Sequence, residues 1–124
     1  MSSRGLLMNY NFMLLNKTQK TIQYINKILI NFPNKEQILK GNIEKNMYEM
    51  IECIFAYQIN DTDRIKQKYL KDFLVKLSML NFYIATSLEK KIISKHQCEV
   101  IGNFLIEIRK ITYGVIKSEN NTKV

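Results

Sequence analysis

The stretch IKQKYLKDFLVKLSMLNFYIATSL at residues 65–88 carries the most regular apolar pattern of the chain and decides its fold. Apolar residues recur there at spacings of three and four, at Ile65, Tyr69, Phe73, Leu77, Leu80, Ile84 and Leu88. Residues with these spacings lie on one side of an α-helix, because the helix completes a turn about every 3.6 residues. The stretch therefore predicts a long amphipathic helix, and Leu70 and Leu74 widen its apolar face.

Three further segments show the same periodicity, two before this helix and one after it. The first stripe consists of Leu14, Leu15, Thr18, Ile22, Ile25, Ile28 and Leu29. The second consists of Ile43, Met47, Met50, Ile51, Ile54 and Phe55. The last consists of Ile101, Phe104, Leu105, Ile108, Ile111, Val115 and Ile116. We therefore expect four helices, each with one apolar face.

Local signals divide these helices from one another. Pro33 disfavours helical backbone at Phe32 and ends the first helix. Asn34 followed by Gln37, and Ser94 followed by Gln97, are capping-box patterns that predict starts of the second and fourth helices. The run NDTD at residues 60–63 supplies capping side chains for the third helix.

The connections between the helices are short, and the chain has one Pro and four Gly, too few for the many turns of a sheet-rich fold. Helices joined by short loops become antiparallel neighbours. The sequence therefore predicts an all-α protein, an antiparallel up-down-up-down four-helix bundle over residues 14–118. Residues 1–13 are predicted to be an N-terminal extension, ordered or disordered, with Met8 and Met13 as alternative first residues. Residues 119–124 are predicted to be a frayed tail.

The charge of the chain is strongly positive, with a net charge of +8 and a pI of about 9.5. Residues 34–60 are the exception, because their acidic residues outnumber the basic ones. An excess of positive charge attracts polyanions, and lysines on helix faces suit contacts to phosphates without base reading. The alternative for any single lysine is a solvated helix face. The candidate nucleic-acid-binding residues are Arg64, Lys68, Lys71, Lys90, Lys91, Lys95, Arg109, Lys110 and Lys117.

Patterns that carry catalysis or bind metals are missing from the sequence. There is no Gly-rich phosphate loop, GxSxG elbow or HExxH helix, and His96 is the only histidine. We therefore expect no enzyme activity, no metal and no cofactor. Cys53 and Cys98 form no CxxC pair, which favours a reducing cytoplasm. The uncharged stretches are too short to span a membrane, and Asn9 and Asn11 interrupt the apolar N-terminus, so we expect neither a membrane segment nor a signal peptide.

Several short motifs resemble one protein family. FPNK at residues 32–35, with GNI at residues 41–43, is similar to the "FPK…G.xI" opening of the four-helix-bundle family that includes the accessory variability protein of diversity-generating retroelements. ISKHQ at residues 93–97 resembles the "IS.KQY" turn of that family. EIRKITYGVIKS at residues 107–118 resembles its "EIGRMLGGWIKS" terminus, and Ile84-Ala85 resembles the Leu-Ala that closes its third helix.

This resemblance implies a non-catalytic accessory protein that forms a basic, ring-shaped homopentamer. Such a ring binds a partner reverse transcriptase and its template RNA or cDNA, and it supports mutagenic copying without being the polymerase. The alternative is a bundle of the ribosomal intervening-sequence branch, or a structural interaction protein. That branch carries an "IPSNIAEG"-like stretch in the second helix, where this chain has EMIECIFA at residues 49–56, which favours the retroelement branch.

The chain also departs from the family pattern at positions that bear on binding. Ser78, Asn81 and Tyr83 stand where the family often has arginines, and Tyr113-Gly114-Val115 replaces its terminal Gly-Gly-Trp. The resemblance therefore implies a contact surface that is weaker than usual, or one that has moved to Lys90, Lys91, Lys95, Arg109 and Lys110.

Overall fold

The computed structural model describes residues 2–121, and these residues form four α-helices and no strand. The helices are α1 (Ser3–Leu29), α2 (Gln37–Ile59), α3 (Asp63–Glu89) and α4 (Lys95–Asn121), with a short 3-10 turn at Asn34–Glu36 before α2. This arrangement confirms the predicted all-α class.

The helices form a closed ring in cross-section. Each helix packs against the next one along the chain, and α4 returns to pack against α1. At one end of the bundle Asn11 from the start of α1 meets Tyr57 from the end of α2, and Lys66 from the start of α3 meets Glu119 from the end of α4. Neighbouring helices therefore run in opposite directions, as the up-down-up-down prediction requires.

The core is built from the predicted apolar stripes. Its fully buried side chains include Leu14, Ile25, Ile43, Met47, Met50, Ile54, Leu77, Leu80, Ile101, Ile108 and Val115. Burial of this much aliphatic surface is the main favourable term in folding, at roughly 1.5–3 kcal/mol for each large side chain. Cys53 is also buried, and this burial raises the pKa of its thiol, as suits a small apolar core residue.

Two members of the predicted stripes are exposed instead of buried. The stripe positions of Phe55 and Ile65 are wrong, because these side chains are 47% and 38% exposed. Tyr57 takes the buried position at the end of α2. Residues 43, 47, 50, 54 and 57 keep one side of the helix, whereas Phe55 lies about 100° further round it.

The predicted capping interactions at the helix starts are only partly present in the structure. At Ser94 the capping box forms in both directions, since the Ser94 N–H donates to Oε1 of Gln97 at 2.9 Å and the Gln97 N–H donates to Oγ of Ser94 at 3.0 Å. The predicted Asn34 cap is wrong, because residues 34–36 form the 3-10 turn and the side chain before α2 makes no capping bond. Thr62 precedes α3, also without a capping bond from its side chain.

Both ends of the bundle extend past the predicted boundaries of residues 14 and 118. Helix α1 begins at Ser3, and Leu7 and Tyr10 pack against the core, so residues 3–13 continue the first helix. Helix α4 continues to Asn121, and Glu119 is buried. The remaining residues of the predicted tail, 122–124, lie outside the described part of the chain.

Candidate nucleic-acid interface

Positive charge is concentrated on helices α1 and α4, which pack side by side. Together these two helices carry eight basic and three acidic residues. Helices α2 and α3 carry seven basic and six acidic residues. We call the solvent-facing sides of the first pair the α1/α4 face. Its basic residues are Arg4, Lys17, Lys20, Lys27, Lys95, Arg109, Lys110 and Lys117.

Four of the nine predicted binding residues, Lys95, Arg109, Lys110 and Lys117, belong to the α1/α4 face. Lys95 is the first residue of α4, directly after the Ser94 cap. Arg109 donates a hydrogen bond to Oγ of Ser78 at 3.2 Å, which links the face to helix α3. Tyr113 is exposed on the same helix, so an aromatic side chain is interleaved with the basic ones.

The three acidic residues of α1 and α4, set against eight basic ones, leave the pair of helices with a net charge of +5. Glu107 forms an ion pair with Lys17, whose ammonium also lies 4.8 Å from the centre of the Phe104 ring. Glu119 is buried at the end of the bundle, where it contacts Lys66 of α3. Glu99 is the third acidic residue of these two helices. The α1/α4 face therefore stays strongly cationic.

Arg64, Lys68 and Lys71 come together around a hollow at the start of α3, as their spacing predicts. The hollow also contains Asp72, and the ammonium of Lys68 lies 2.9 Å from a carboxylate oxygen of this residue. The hydrogen bond to Asp72 raises the pKa of Lys68. This set is therefore partly neutralised by its own acidic neighbour.

Lys90 and Lys91 lie at the opposite end of the bundle from this hollow. Lys90 forms an ion pair with Glu36 at 3.2 Å, and Lys91 adopts a left-handed backbone conformation with φ 62° that ends α3. Lys68 and Lys90 are separated by 22 residues of helix, or about 33 Å. The nine predicted residues therefore do not form one compact site, and they are spread over two ends and one face.

The candidate residues predicted from the sequence do not include Lys17, Lys20 and Lys27 of α1. The signal was available, because residues 1–33 contain four basic residues and no acidic one. What the sequence did not state is that α1 packs against α4, which brings Lys17 and Lys20 into one groove with Lys110.

A groove of about 520 Å³ runs between α1 and α4 within this face. We call it the α1/α4 groove. Its apolar lining includes an exposed ring, Phe12, and its polar lining includes three lysines. The lining residues are Tyr10, Phe12, Met13, Asn16, Lys17, Lys20, Glu107, Lys110 and Ile111.

A buried polar cluster closes the end of the bundle at which α1 begins and α4 ends. The Tyr57 hydroxyl lies 2.6 Å from Oε1 of Glu119 and 2.9 Å from Oδ1 of Asn11. The ammonium of Lys66 lies 3.4 Å from the same Glu119 oxygen and 5.5 Å from the centre of the Tyr57 ring. Burial, and then the contact with Glu119, raise the pKa of Tyr57 above its ordinary value, which keeps the phenol neutral. Each helix contributes one residue to this Tyr57 cluster.

Helix α2 exposes apolar side chains on the side that faces away from the core. Tyr48, Phe55 and Ile59 are spaced by seven and four residues, so they share one side of the helix. Tyr48 and Ile59 are largely exposed, and Phe55 is about half exposed. We call this surface the α2 face.

The described part of the chain, residues 2–121, contains neither a metal-binding cluster nor a helix that could span a membrane. No group of three or more His, Cys, Asp and Glu side chains there is placed to hold a metal ion. None of the four helices is both long enough and apolar enough to cross a membrane.

Comparison with known proteins gives a family and a structural neighbour. The family described as bAvd-like matches this chain over residues 12–119. A crystal structure of a protein of unknown function from the S23 ribosomal protein family of Bacteroides thetaiotaomicron is similar in fold, with a TM-score of 0.77 at 15% sequence identity. The similarity covers 87% of this chain and 98% of that one. No curated protein matches the chain.

Proposed function

This chain belongs to the bAvd-like family, and from that premise we propose that it binds template RNA or cDNA together with a partner reverse transcriptase of a diversity-generating retroelement. The match over residues 12–119 confirms the resemblance seen in the sequence, and an accessory role fits the family. The observation that supports nucleic-acid binding most strongly is the concentration of basic residues on the α1/α4 face.

The chemistry of this face suits phosphates. Lys20, Lys27 and Lys117 are exposed, and rigid helices hold them at fixed positions. Binding of a polyanion then releases its condensed counterions, which is the main source of sequence-independent affinity. Contacts of this kind position a nucleic acid without reading its bases. The proposed role therefore requires no sequence preference from this chain, because a partner polymerase selects the template.

We propose further that copies of the chain assemble through the α2 face. Helices α2 and α3 are nearly neutral, so two copies approach each other on this side with less repulsion than on the α1/α4 face. Contact there would bury Tyr48, Phe55 and Ile59, which the single chain leaves exposed. A ring of five copies is what the family resemblance implies, and such a ring would keep the basic faces available.

The experiment that tests nucleic-acid binding is a salt series on RNA affinity, with purified protein of measured mass. Phosphate contacts predict that the logarithm of the affinity falls linearly with the logarithm of the salt concentration, by about 0.7 for each phosphate of a single strand. Salt-independent binding, or no binding at low salt, would overturn the proposal.

The polymerase partnership has a separate test. A reverse-transcriptase gene beside the gene for this chain, and co-purification of the two products, would support it. A gene position inside ribosomal RNA would instead support the intervening-sequence alternative.

A further inference from the structure

We infer that the α1/α4 groove is a binding site for single-stranded nucleic acid, in which a base stacks on Phe12 and neighbouring phosphates contact Lys20 and Lys110. This inference rests on the proposed nucleic-acid function and names the site at which it acts. It differs from the set of residues expected from the sequence, since Phe12 and Lys20 are absent from that set.

The first support is the exposure of Phe12. Its ring is 67% exposed although it lines a groove beside a well-packed core. Tyr10, which lines the same groove, packs against the backbone of Gly114 and so anchors this part of α1 to α4. The groove therefore presents an aromatic surface on a fixed support. Base stacking on such a ring tolerates any sequence, because every base has a flat π-face.

The second support is the charge beside that ring. Lys17 is already paired with Glu107. Among residues 2–121, no acidic group lies within salt-bridge distance of Lys20 or Lys110. These two ammonium groups come from different helices and line the same groove. They are therefore available to phosphates on both sides of a base at Phe12.

The third support is the size and shape of the groove. Its volume of about 520 Å³ lies in the range of pockets that hold small organic ligands. A duplex keeps its bases stacked and paired, so it offers only its phosphates to such a groove. A single strand offers both a base and phosphates, and it therefore uses the aromatic and the basic lining together. A purely acidic peptide such as polyglutamate would use the lysines alone.

The test uses the full chain and two labelled probes, a short uridine homopolymer and an RNA duplex of the same length. Fluorescence anisotropy measures affinity for each probe across a salt series. Phe12→Ala is expected to weaken binding of the single strand by about fivefold or more, and to leave duplex binding unchanged. Phe12→Trp keeps the ring and is expected to retain the affinity.

Phe82 provides a matched control, because its ring is 61% exposed on α3, away from the groove. Phe82→Ala is expected to leave both affinities unchanged, and circular dichroism checks that each variant keeps its helix content. A double variant, Lys20→Gln with Lys110→Gln, removes both charges. It is expected to reduce the slope of log affinity against log salt for the single strand by about 1.4.

The outcomes separate the groove from the wider proposal. If Phe12→Ala affects single-strand binding no more than Phe82→Ala while salt-dependent binding persists, the groove is wrong and the proposed function stands. Equal weakening of both probes by Phe12→Ala also overturns the groove. If polyglutamate displaces the RNA as well as unlabelled uridine homopolymer does, the site is a general anion or peptide site and the inference fails. Absence of all RNA binding overturns both proposals.

Discussion

Tyr57→Phe is the most informative change for the stability of the bundle. It keeps the buried ring and removes only the hydroxyl, which lies 2.6 Å from Glu119 and 2.9 Å from Asn11. A hydrogen bond to a charged group is worth roughly 1.5–3 kcal/mol, and its loss leaves a buried carboxylate with fewer partners. Lys66 stays within 3.4 Å of Glu119 and continues to balance its charge. We therefore expect the free energy of unfolding to fall by about 2 kcal/mol.

Urea denaturation followed by circular dichroism measures this loss. For a small domain the dependence on urea is about 1–3 kcal/mol per molar, so the midpoint should fall by about 1 M. Tyr113→Phe is the matched control, because this ring is exposed on α4 and its hydroxyl closes no buried cluster. A surface change of this kind stays within about 0.5 kcal/mol. If Tyr57→Phe shifts the midpoint no further than Tyr113→Phe does, the cluster does not hold the four helices together.

The remaining predictions concern pH, helix packing and assembly. Because burial raises the pKa of Tyr57 above its ordinary value of 10.0, the unfolded chain loses this proton first as pH rises. The free energy of unfolding should therefore decline above that pH, and it should decline less in the Tyr57→Phe variant. Unfolding experiments from neutral to strongly alkaline pH measure both curves, and parallel curves would contradict this reasoning. Gly102→Ala, where a new Cβ meets nothing within 4 Å, should stabilise α4 by about 0.5–1 kcal/mol. Gly114→Ala should show no such stabilisation, or should destabilise the protein, in the same urea assay, because its Cβ would lie 2.8 Å from the Tyr10 ring. Equal stabilisation by the two substitutions would show that the Tyr10 ring moves aside at no cost. Phe55→Glu should reduce the mass of the assembly in light scattering while helix content is kept, and an unchanged mass would remove the α2 face as the contact between copies.

The apolar pattern was sufficient to predict the fold. Residues 65–88 and their three counterparts predicted four helices, and the capping box at Ser94 predicted the start of α4 to within one residue. The exchange between Phe55 and Tyr57 was harder to see, since the two lie only two residues apart in an apolar run and differ in their angle around the helix. Tyr57 also extends the 4-3 spacing of Ile43, Met47, Met50 and Ile54, so this signal was present.

The end of the bundle was less predictable, for a physical reason. Asn11 and Glu119 are polar residues near the chain termini, and such residues usually lie in solvent. Their burial depends on partners from other helices, Tyr57 and Lys66, which lie far away in sequence. No local pattern records an interaction of this kind, so the boundaries at residues 14 and 118 were placed too far inside the bundle.

The sequence identified basic residues of the candidate interface one by one, but it did not show which of them lie together on one surface. The charge of each segment follows from counting, and residues 1–33 were already the most basic part of the chain. The contact of α1 with α4 joins that charge to Arg109, Lys110 and Lys117. The same geometry separates Lys90 and Lys91 from the start of α3 by the length of a helix.

The most direct test of the account compares two variants of equal net charge. One carries Arg109→Gln, Lys110→Gln and Lys117→Gln on the α1/α4 face. The other carries Lys35→Gln in the turn before α2, with Lys40→Gln and Lys45→Gln in the first half of α2. We expect the first variant to lower the salt slope of single-stranded RNA binding by about 2, and the second to leave it close to that of the unmodified chain. Equal losses in the two variants would show that RNA responds to total charge alone, and would contradict a binding surface on helices α1 and α4.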